Sequence, residues 1–396
     1  MITKIKTRLS CALFALLMAY PLLNSMQITH GSTDVQNDCI QFDNKNRLIT
    51  ISCTESVRLT DIFDKLRNPD VLIRQGSGSN ESWILNAGIT IEGSSKLIID
   101  STDTNWLKII ADGKHAYAIT VLGSLVIDSV KITSWNPKTQ DYAKFRKDLR
   151  PDTKDSSTAV TNIDKMLRPY IKIEDETTGT TNVTNSELAY LGYDCMAGCS
   201  GLSYYGSNGT SVIRNNELHH NRFGFYSVGT GNLILENNYV HHNFIYGFNP
   251  HTVTDDMIIK NNTLHDHGAQ GIICSLDCYN ITIEGNKVSH SDGSGIMFSR
   301  NMSNSVARNN IVHDESKCIY LSQSHNNEVY NNTVSNCYRQ GIYLYHNSFD
   351  NKIYDNTINN STDSTLVSDD SKNNNFSNNK IIGGENNARQ QEETDN

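Results

Sequence analysis

Charge and proline are both scarce in this 396-residue chain: Asp, Glu, Lys and Arg make up 19% of it, and proline occurs six times. The net charge is -9, which argues against a general nucleic-acid binder, because such proteins need a broadly basic surface. An acidic polymer could bind only through a local basic patch. With so few prolines, one inside a strand pattern is conspicuous, because proline is rare in central strands.

Long apolar runs are missing after the first two dozen residues. Lys4, Lys6 and Arg8 precede an apolar run over residues 9–23, which is typical of a secretory signal. Residues 1–26 are therefore predicted to be a signal peptide or, since no clear small-residue cleavage site follows, an uncleaved anchor. No later segment is long enough to span a bilayer, so we expect a secreted or otherwise extracytoplasmic protein at the cell surface.

Nine cysteines are present, of which Cys11 lies in the predicted signal. The even number that remains in an exported chain predicts disulfides. Sequence proximity suggests the pairs Cys39–Cys53, Cys195–Cys199, Cys274–Cys278 and Cys318–Cys337, although eight cysteines allow many connectivities. Sequons for glycosylation, expected on loops or turns, occur at Asn80, Asn182, Asn208, Asn280, Asn301 and Asn375.

Residues 27–82 are predicted to form a polar lead-in and an N-terminal cap. Within them, residues 55–68 have helical spacing, and the apolar face would consist of Val57, Ile62, Phe63 and Leu66. A short amphipathic helix here would cover the open end of a stack of coils, which otherwise exposes strand edges and apolar side chains.

Residues 83–385 are predicted to form the body of the fold; short alternating runs separated by turns occupy residues 83–135, and from about residue 180 a repeat with a step of 22 to 24 residues is plain. One column of the repeat is Asn216, Asn238, Asn262, Asn286, Asn310, Asn332, Asn356 and Asn379. A second, mostly Gly column is Gly201, Gly224, Gly247, Gly271, Gly295, Cys318, Gly341 and Thr365. A coil this short buries its apolar residues only by stacking on its neighbours. The two columns therefore predict an all-β fold, a right-handed parallel β-helix, in which the asparagines form a structural ladder.

Two segments interrupt or end this pattern. Residues 137–165 are charged and polar, and we interpret them as an inserted loop or a lid. Residues 386–396 are predicted to be a polar, disordered tail.

Alternation within each strand separates core from surface. The inward row is predicted to be Phe225, Phe248, Ile272, Ile296, Ile319 and Ile342. The outward positions include Tyr226, Tyr320 and Tyr343, whose rings suit stacking on sugars, and the coil spacing of about 4.8 Å is close to one sugar residue. We expect a polysaccharide groove; the alternative is that these tyrosines cover the core beneath a loop.

One coil departs from the others and reads Tyr246-Gly-Phe-Asn-Pro-His251. His251 is predicted to point outward from a rigid strand, and an ordinary imidazole pKa of about 6.5 suits a general base. Pro250 lacks a backbone donor and is unusual inside a sheet. Tyr246 lies before a Gly bend that could turn it toward the same cleft. We therefore name His251, Tyr246 and Asn249 as the candidate catalytic residues.

This segment resembles the Tyr-Gly-Phe-Asp-Pro-His motif of the mannuronan (alginate) C-5-epimerases. The similarity runs from Arg168-Pro-Tyr-Ile, through Leu191-Gly-Tyr, to about residue 345. The resemblance implies that His251 and Tyr246 are the proton-transfer pair that inverts C5 of a uronate within the polymer.

The chain departs from the family's pattern at two positions. Asn249 replaces the Asp of the motif, which removes a charge beside the imidazole. Leu276 stands where periplasmic members have an Arg after Ser. Arg300, one coil later, could supply the missing cation, with Arg222 and Arg339 as other candidates. The predicted substrate-binding residues are Arg300, Arg222, Tyr226, Tyr320 and Tyr343.

The predicted function is a monomeric, secreted enzyme that converts mannuronate to guluronate within a polyuronate. The alternatives are a non-catalytic β-helix that binds polysaccharide and a lyase that cleaves uronates by β-elimination. The expected partner is an acidic polysaccharide, with no nucleic acid and no membrane span beyond the N-terminal segment. No cofactor is predicted; for Asp255-Asp256 we weigh a Ca²⁺ site against a solvated turn.

Overall fold

A computed structural model describes residues 39–77, 81–144, 167–195, 198–206, 209–361, 364–383 and 388–390. The predicted signal or anchor at residues 1–26 lies outside these residues. So does most of the predicted insertion, over residues 145–166.

The described part of the chain consists almost entirely of strands. The N-terminal elements are β1 (Ile40–Asp43), β2 (Leu48–Ile51), β3 (Ser56–Val57), α1 (Leu59–Leu66), β4 (Leu72–Gln75), β5 (Ser82–Leu85), β6 (Gly88–Ile91), β7 (Lys96–Asp100), β8 (Trp106–Ile110), β9 (Ala118–Val121), β10 (Ser124–Asp128) and β11 (Lys131–Trp135). The central strands are β12 (Tyr170–Ile173), β13 (Thr181–Thr184), β14 (Glu187–Ala189), β15 (Leu202–Tyr205), β16 (Ser211–Arg214), β17 (Glu217–His219), β18 (Phe223–Val228), β19 (Leu233–Glu236), β20 (Tyr239–His241), β21 (Tyr246–His251), β22 (Ile258–Lys260), β23 (Thr263–His265), β24 (Ile272–Ser275), β25 (Thr282–Glu284) and β26 (Lys287–Ser289). The C-terminal strands are β27 (Ser294–Ser299), β28 (Val306–Arg308), β29 (Ile311–His313), β30 (Lys317–Ser322), β31 (Glu328–Tyr330), β32 (Thr333–Ser335), β33 (Gln340–Tyr345), β34 (Lys352–Tyr354), β35 (Thr357–Asn359), β36 (Ser364–Asp369), β37 (Asn375–Ser377), β38 (Lys380–Ile382) and β39 (Ala388–Gln390).

Three long sheets run side by side, and each coil of the chain adds one strand to each of them. Sheet A has the order β1-β2-β6-β9-β12-β15-β18-β21-β24-β27-β30-β33-β36-β39. Sheet B runs β3-β7-β10-β13-β16-β19-β22-β25-β28-β31-β34-β37, and sheet C runs from β4 through β5, β8, β11, β14, β17, β20, β23, β26, β29, β32 and β35 to β38. Pairing is parallel except for β1 with β2 and β4 with β5 at the N-terminal end. This is the topology of a parallel β-helix, as predicted.

The strand alternation places the core where the sequence predicts it. The six residues of the inward row are fully buried: Phe225, Phe248, Ile272, Ile296, Ile319 and Ile342. In register, each contacts its counterpart in the next coil, as Phe225 pairs with Phe248 and Ile319 with Ile342. The prediction of the inward row is confirmed.

The asparagine ladder is also confirmed, and Asn238 shows how it works. Its backbone N–H and its Nδ2 both donate to Oδ1 of Asn262 at 2.9 Å. Its Nδ2 also donates to the carbonyl of Ile213 at 2.9 Å. Because a buried amide without partners is costly, this fully bonded column explains why the asparagine recurs.

The N-terminal helix α1 covers the first coils, with Leu59 and Ile62 buried and contacts to β1 and β4. The carboxylate of Asp61 accepts the backbone N–H of Arg58 at 2.8 Å, which caps the helix. Val57, predicted on the helix face, lies in β3 instead. The sheets also begin before residue 83, because Leu48–Ile51 alternates between partly exposed and buried positions and pairs with β6.

Two predicted irregular segments contain some ordered structure. At the start of the predicted insertion, Asn136 and Asp141 form an antiparallel bridge and Ala143 is buried. In the predicted tail, β39 pairs with β36, and the other residues of 386–396 lie outside the described part of the chain.

The cysteine pairing agrees with the prediction at three pairs and contradicts it at one. Among the described residues, disulfides join Cys39–Cys53, Cys195–Cys199 and Cys318–Cys337. Cys274 and Cys278 are buried free thiols, so their predicted disulfide is wrong. Cys274 lies within β24 facing the core, whereas the Cys278 thiol donates to the carbonyl of Ser275 at 3.2 Å. Burial raises the pKa of Cys278 to about 11, which makes it a poor nucleophile.

The predicted sequons do not all lie on loops. Asn182 lies in β13, where its Oδ1 accepts the backbone N–H of Val212 at 3.0 Å, and Asn375 lies in β37. Asn280 and Asn301 are exposed with positive φ, as expected for turns. Asn80 and Asn208 lie outside the described residues.

Candidate active site

A cleft of about 230 Å³ opens on the outer face of sheet A around β21. Six of the residues named from the sequence line it: Arg222, Tyr226, Tyr246, Asn249, His251 and Arg300. The other lining residues are Cys195, Gly198, Ser200, Phe223 and Ile273. The volume is slightly below the range of about 300–1,000 Å³ typical of drug-sized ligands. The cleft therefore has room for a ligand smaller than a typical drug-sized molecule.

Pro250 interrupts the sheet at this cleft. Strand β21 pairs with β18 over five positions, including Tyr226 with Asn249 and Val228 with His251. On its other side, the described register with β24 includes only Phe248 with Ile272 and His251 with Ser275. Proline has no N–H to donate, so the ladder weakens between those two pairs. The regular pairing with β24 is therefore interrupted next to Asn249 and His251.

His251 is half-buried and held on both sides of its ring. Its Nδ1 lies 2.7 Å from Oγ1 of Thr252, and its Nε2 lies 3.4 Å from Nη2 of Arg300. A guanidinium only donates, so the nitrogen that faces it carries the lone pair. Nδ1–H then donates to Thr252, and Nε2 is the basic atom of this tautomer.

The surroundings of His251 favour the neutral ring. Burial, and to a lesser degree the positive charge of Arg300, lower the pKa of His251 below its ordinary value. A neutral imidazole with its lone pair toward the cleft is the form that can abstract a proton.

Arg300 reaches the cleft from two coils further along the chain. It follows the end of β27, and its φ of 51° turns the chain there. Its Nε donates to Oγ of the buried Ser275 at 2.9 Å, which directs the guanidinium back toward His251. Leu276 occupies the equivalent turn position of the intervening coil, also with positive φ. Arg300 thus brings a cation to the region where the sequence lacks one at 276.

Arg222 supplies a second cation on the opposite side of the cleft. It lies just before β18, and its Nη2 donates to Asp194 at 2.7 Å. Its guanidinium lies 4.8 Å from the centre of the Phe223 ring. Burial lowers the pKa of Arg222, but arginine stays charged because its ordinary pKa is above 12.

Two phenols and an amide complete the lining. Tyr246 is partly exposed, and the centre of its ring lies 5.0 Å from the centre of the Phe223 ring. It lines the cleft, so the bend at Gly247 does turn its side chain outward. The ring centres of Tyr226 and His251 lie 5.8 Å apart. Burial raises the pKa of the Tyr226 phenol. Asn249 is buried, and its Oδ1 has no hydrogen-bond partner among the described residues.

The remaining predicted residues lie outside the cleft. The rings of Tyr320 and Tyr343 stack with their centres 5.4 Å apart. Both residues occupy the same outward column of sheet A as Asn249. Tyr320, the nearer of the two, is three coils from Asn249, which corresponds to about 14 Å along the sheet. Arg339 is exposed in the turn before β33. At the Asp255-Asp256 turn, Asp256 accepts a hydrogen bond from the side chain of Asn280; a Ca²⁺ site there remains a prediction.

Sequence reasoning missed three residues that position the site: Thr252, Ser275 and Asp194. Ser275 had a signal, because serine ends this strand in three successive coils, at Ser275, Ser299 and Ser322. Thr252 directly follows the candidate base. Asp194 lies in an irregular loop, and no pattern in the chain marks it.

The sequence profile of the family described as "Right handed beta helix region" matches residues 156–276 and 251–396, more than half of the chain. The chain belongs to this right-handed β-helix family. Its handedness agrees with the rule that parallel crossover connections are right-handed.

Curated relatives of the β-helix are mannuronan C5-epimerases. One from Pseudomonas putida (strain KT2440) is 27% identical over 247 residues, which are 59% of this chain and 44% of the relative. Another, from Pseudomonas syringae pv. tomato, is 26% identical and covers 54% of this chain and 38% of the relative. The similarity predicted from the motif is confirmed, and the chain spans less than half the length of these relatives.

Solved structures support the same fold. The periplasmic alginate epimerase AlgG superposes with a TM-score of 0.69, covering 85% of each chain at 19% sequence identity. This identity is low, so the likeness establishes the β-helix architecture alone.

In the described part of the chain, no helix is long and apolar enough to cross a membrane. Three disulfides among the described cysteines are typical of an extracytoplasmic protein, because the cytosol keeps thiols reduced.

Proposed function

We propose that this protein is a polyuronate C5-epimerase that converts mannuronate to guluronate within the polymer. The observation that carries the proposal is that one cleft is lined by His251, Tyr246, Arg300 and Arg222. The reaction needs a base, an acid and a cation for the carboxylate, and these residues provide all three. The similarity to curated mannuronan C5-epimerases supports the same assignment.

Arg300 neutralises the substrate carboxylate in this mechanism. Removing the proton at C5 places a second negative charge on the carboxylate, which must be stabilised as it develops. Nη2 of Arg300 lies 3.4 Å from the basic nitrogen of His251. When a uronate binds, its carboxylate takes the guanidinium, and Nε2 of His251 is left facing the C5 proton. Arg222 stays oriented by Asp194 and adds positive potential on the other side.

His251 and Tyr246 exchange the proton. His251 takes the C5 proton and becomes an imidazolium, while the electron pair moves into the carboxylate. Tyr246 then donates its phenolic proton to C5 from the opposite face and becomes a phenolate. Proton exchange with solvent returns both side chains to their starting forms. No bond to oxygen breaks, so the chain length of the polymer is preserved.

The polymer would continue from the cleft along the outer face of sheet A. Lys317 lies 4.9 Å from the Tyr320 ring, which itself stacks on Tyr343. A cation beside stacked aromatic faces suits an anionic sugar whose ring lies on the phenol. The groups in the cleft come from one chain, so we further propose that the enzyme is active as a monomer. We also propose that it is secreted, because disulfides suit an oxidising compartment.

Incubating the purified protein with polymannuronate tests the proposal. New guluronate signals in the proton NMR spectrum, with deuterium incorporated at C5 in D₂O, are the expected result. The same proton-transfer groups could instead expel the 4-oxygen, and unsaturated chain ends would then identify a lyase. Binding of the polymer with neither change would identify a non-catalytic module and refute the proposal.

A further inference from the structure

A second cluster of chemically active side chains lies on sheet C, apart from the cleft. Strands β17, β20 and β23 end in His219, His241 and His265, which stack in register. The rings of His219 and His241 are 4.8 Å apart and nearly parallel, and those of His241 and His265 are 5.3 Å apart. The next residues, His220 and His242, form a second stack at 5.3 Å.

The two stacks point ring nitrogens at each other. Nδ1 of His219 lies 2.7 Å from Nδ1 of His220, and Nδ1 of His241 lies 2.8 Å from Nδ1 of His242. One ring nitrogen from each of His219, His220 and His241 can be chosen so that all three lie within 4.8 Å of one another. Three converging imidazoles are a donor set for a metal ion.

Carboxylates hold the other nitrogen of the two inner rings. Oε1 of Glu187 lies 3.1 Å from Nε2 of His219, and Oε1 of Glu217 lies 3.0 Å from Nε2 of His241. A carboxylate only accepts when ionised, so each Nε2 carries the hydrogen and each Nδ1 carries a lone pair. This carboxylate–histidine arrangement is the one that orients histidine ligands in metalloproteins.

Backbone geometry explains only part of this cluster. His220 and His242 have φ of 53° and 52°, a region that Asn, Asp and His adopt more readily than other side chains. His219 and His241 lie in strands, where the fold makes no such demand. Their side chains are 12% exposed, while that of His242 is 50% exposed. The inner face of the cluster is therefore sheltered and its outer face is open.

We propose that Nδ1 of His219, Nδ1 of His220 and a ring nitrogen of His241 bind one divalent transition-metal ion of the Zn²⁺, Cu²⁺ or Ni²⁺ class. Neutral imidazoles suit these ions, whereas Ca²⁺ and Mg²⁺ prefer oxygen ligands. With metal–nitrogen bonds of about 2.0–2.1 Å, tetrahedral ligand nitrogens lie about 3.3 Å apart. Small ring rotations that widen the His219–His220 gap by about 0.6 Å would reach this geometry. The fourth position is left to water or to His242.

The ion would hold together two neighbouring coils whose next strands, β18 and β21, contribute residues to the cleft. His219 and His220 belong to the coil that continues into Arg222 and β18, and His241 belongs to the coil that continues into β21. Anything that binds only the folded protein stabilises it, so the metal should raise the unfolding temperature. This site is independent of the proposed epimerase activity.

Calorimetric titration of the chelator-treated full chain with ZnCl₂ tests the inference, with Co²⁺ absorption as a probe of tetrahedral nitrogen ligation. We expect one ion per chain, a rise in Tm, and at least a hundredfold loss of affinity in His219→Gln and His241→Gln. Glu217→Gln should weaken binding by about 10–100-fold, because it acts through His241.

His325→Gln is the matched control, since His325 is a histidine of another surface whose Nε2–H donates to Oδ1 of Asn301 at 2.8 Å. It should bind zinc as the wild type does, and circular dichroism shows whether each variant is folded. The inference is overturned if the wild type binds no better than about 100 μM. It is equally overturned if folded His219→Gln and His241→Gln proteins bind as tightly as the control, or if several ions bind without saturation at one.

Discussion

Strands β21 and β33 both belong to sheet A, where β33 is the fourth strand after β21. The two coils that contain them have the same kind of apolar interior. Phe248 and Ile342 are both fully buried in the inward row. Their outward residues differ completely. In the first coil, Asn249 and His251 lie where the pairing of β21 with β24 is interrupted, and His251 lies close to Arg300. In the second coil, Tyr343 and Tyr345 lie on a strand whose pairing with β30 is continuous.

This difference shows how one scaffold separates stability from chemistry. Inward positions are constrained by packing and hardly vary between the coils, because each must match the coil above and below. Outward positions are free to differ, so a histidine and a buried amide lie in one coil and stacked aromatic rings in another. Substitutions at outward positions should therefore change activity without changing the stability of the fold.

The largest effect is expected from removing the base. His251→Phe should lower kcat/KM on polymannuronate by about 10³–10⁴-fold, because loss of a general base removes the proton acceptor. The Tm should stay close to that of the wild type, since the ring is only half-buried. Rates of guluronate formation by NMR and thermal melts measure the two quantities.

His346→Phe is the control for this comparison, because His346 follows β33 and is an exposed histidine of the second coil. It should leave kcat/KM unchanged. A His251→Phe protein as active as this control would show that the cleft is not where the chemistry occurs.

Removing the cation should cost somewhat less. Arg300→Gln should lower kcat by about 10²–10³-fold, the usual loss when one group that stabilises developing negative charge is removed. It should also change the pH profile. Arg300 and burial both lower the pKa of His251, so the neutral base persists below the ordinary pKa of about 6.5. Without Arg300, the acidic limb of kcat/KM should move upward, while burial keeps it below that value.

Arg339→Gln provides the matched control for the cation. Arg339 is exposed and does not line the cleft, so neither kcat nor the acidic limb should move. If both arginine variants shift the limb equally, then general surface charge, rather than the contact between Arg300 and His251, sets the pKa.

Much of this architecture can be predicted because the packing and hydrogen-bonding interactions that stabilise it repeat from coil to coil. The two-residue alternation of a strand identifies Phe248 and Ile342 as core, and a fixed step identifies the asparagine ladder. The same step marks the histidine pairs at 219–220 and 241–242, 22 residues apart. That signal is present in the sequence, but the predicted site residues do not include these histidines.

The rest depends on three-dimensional approach that spacing does not encode. Cys274 and Cys278 are close in sequence, yet one faces the core from a strand and the other bonds to a carbonyl in the turn. Arg300 reaches His251 only because Ser275, in the coil between them, accepts its Nε–H. Such contacts across coils depend on side-chain direction as well as register, and a linear repeat specifies only the register.

A smaller effect is expected in β30, the strand of sheet A next to β33. Tyr320→Ala should raise KM for long polymannuronate by about 2–12-fold, since a stacked aromatic contact contributes about 0.5–1.5 kcal/mol. The value of kcat should not change, and short oligomers that occupy only the cleft should be unaffected. Kinetics on chains of graded length measure this, with Tyr338→Ala, an exposed tyrosine outside the sheet, as the control. An equal loss on short and long chains would place Tyr320 outside the substrate path.

The smallest effect concerns the residue in which this chain differs from the epimerase motif. Asn249→Asp should raise the pKa of His251 and move the acidic limb of kcat/KM upward by about one pH unit, because a nearby carboxylate favours the imidazolium. The two residues are two positions apart on one strand, so their Cα atoms lie about 6.6 Å from each other.

Asn249→Ala separates charge from packing in this last test. It removes the amide but adds no charge, so the limb should stay where it is in the wild type. A shift confined to Asn249→Asp would mean that the asparagine lets the neutral base act at lower pH. The replacement of Asp by Asn in the motif would then shift the pH range in which His251 and Tyr246 transfer the proton. An equal shift in both variants would assign Asn249 a packing role, consistent with its burial, and the working pH would have to be set by Arg300 and burial alone.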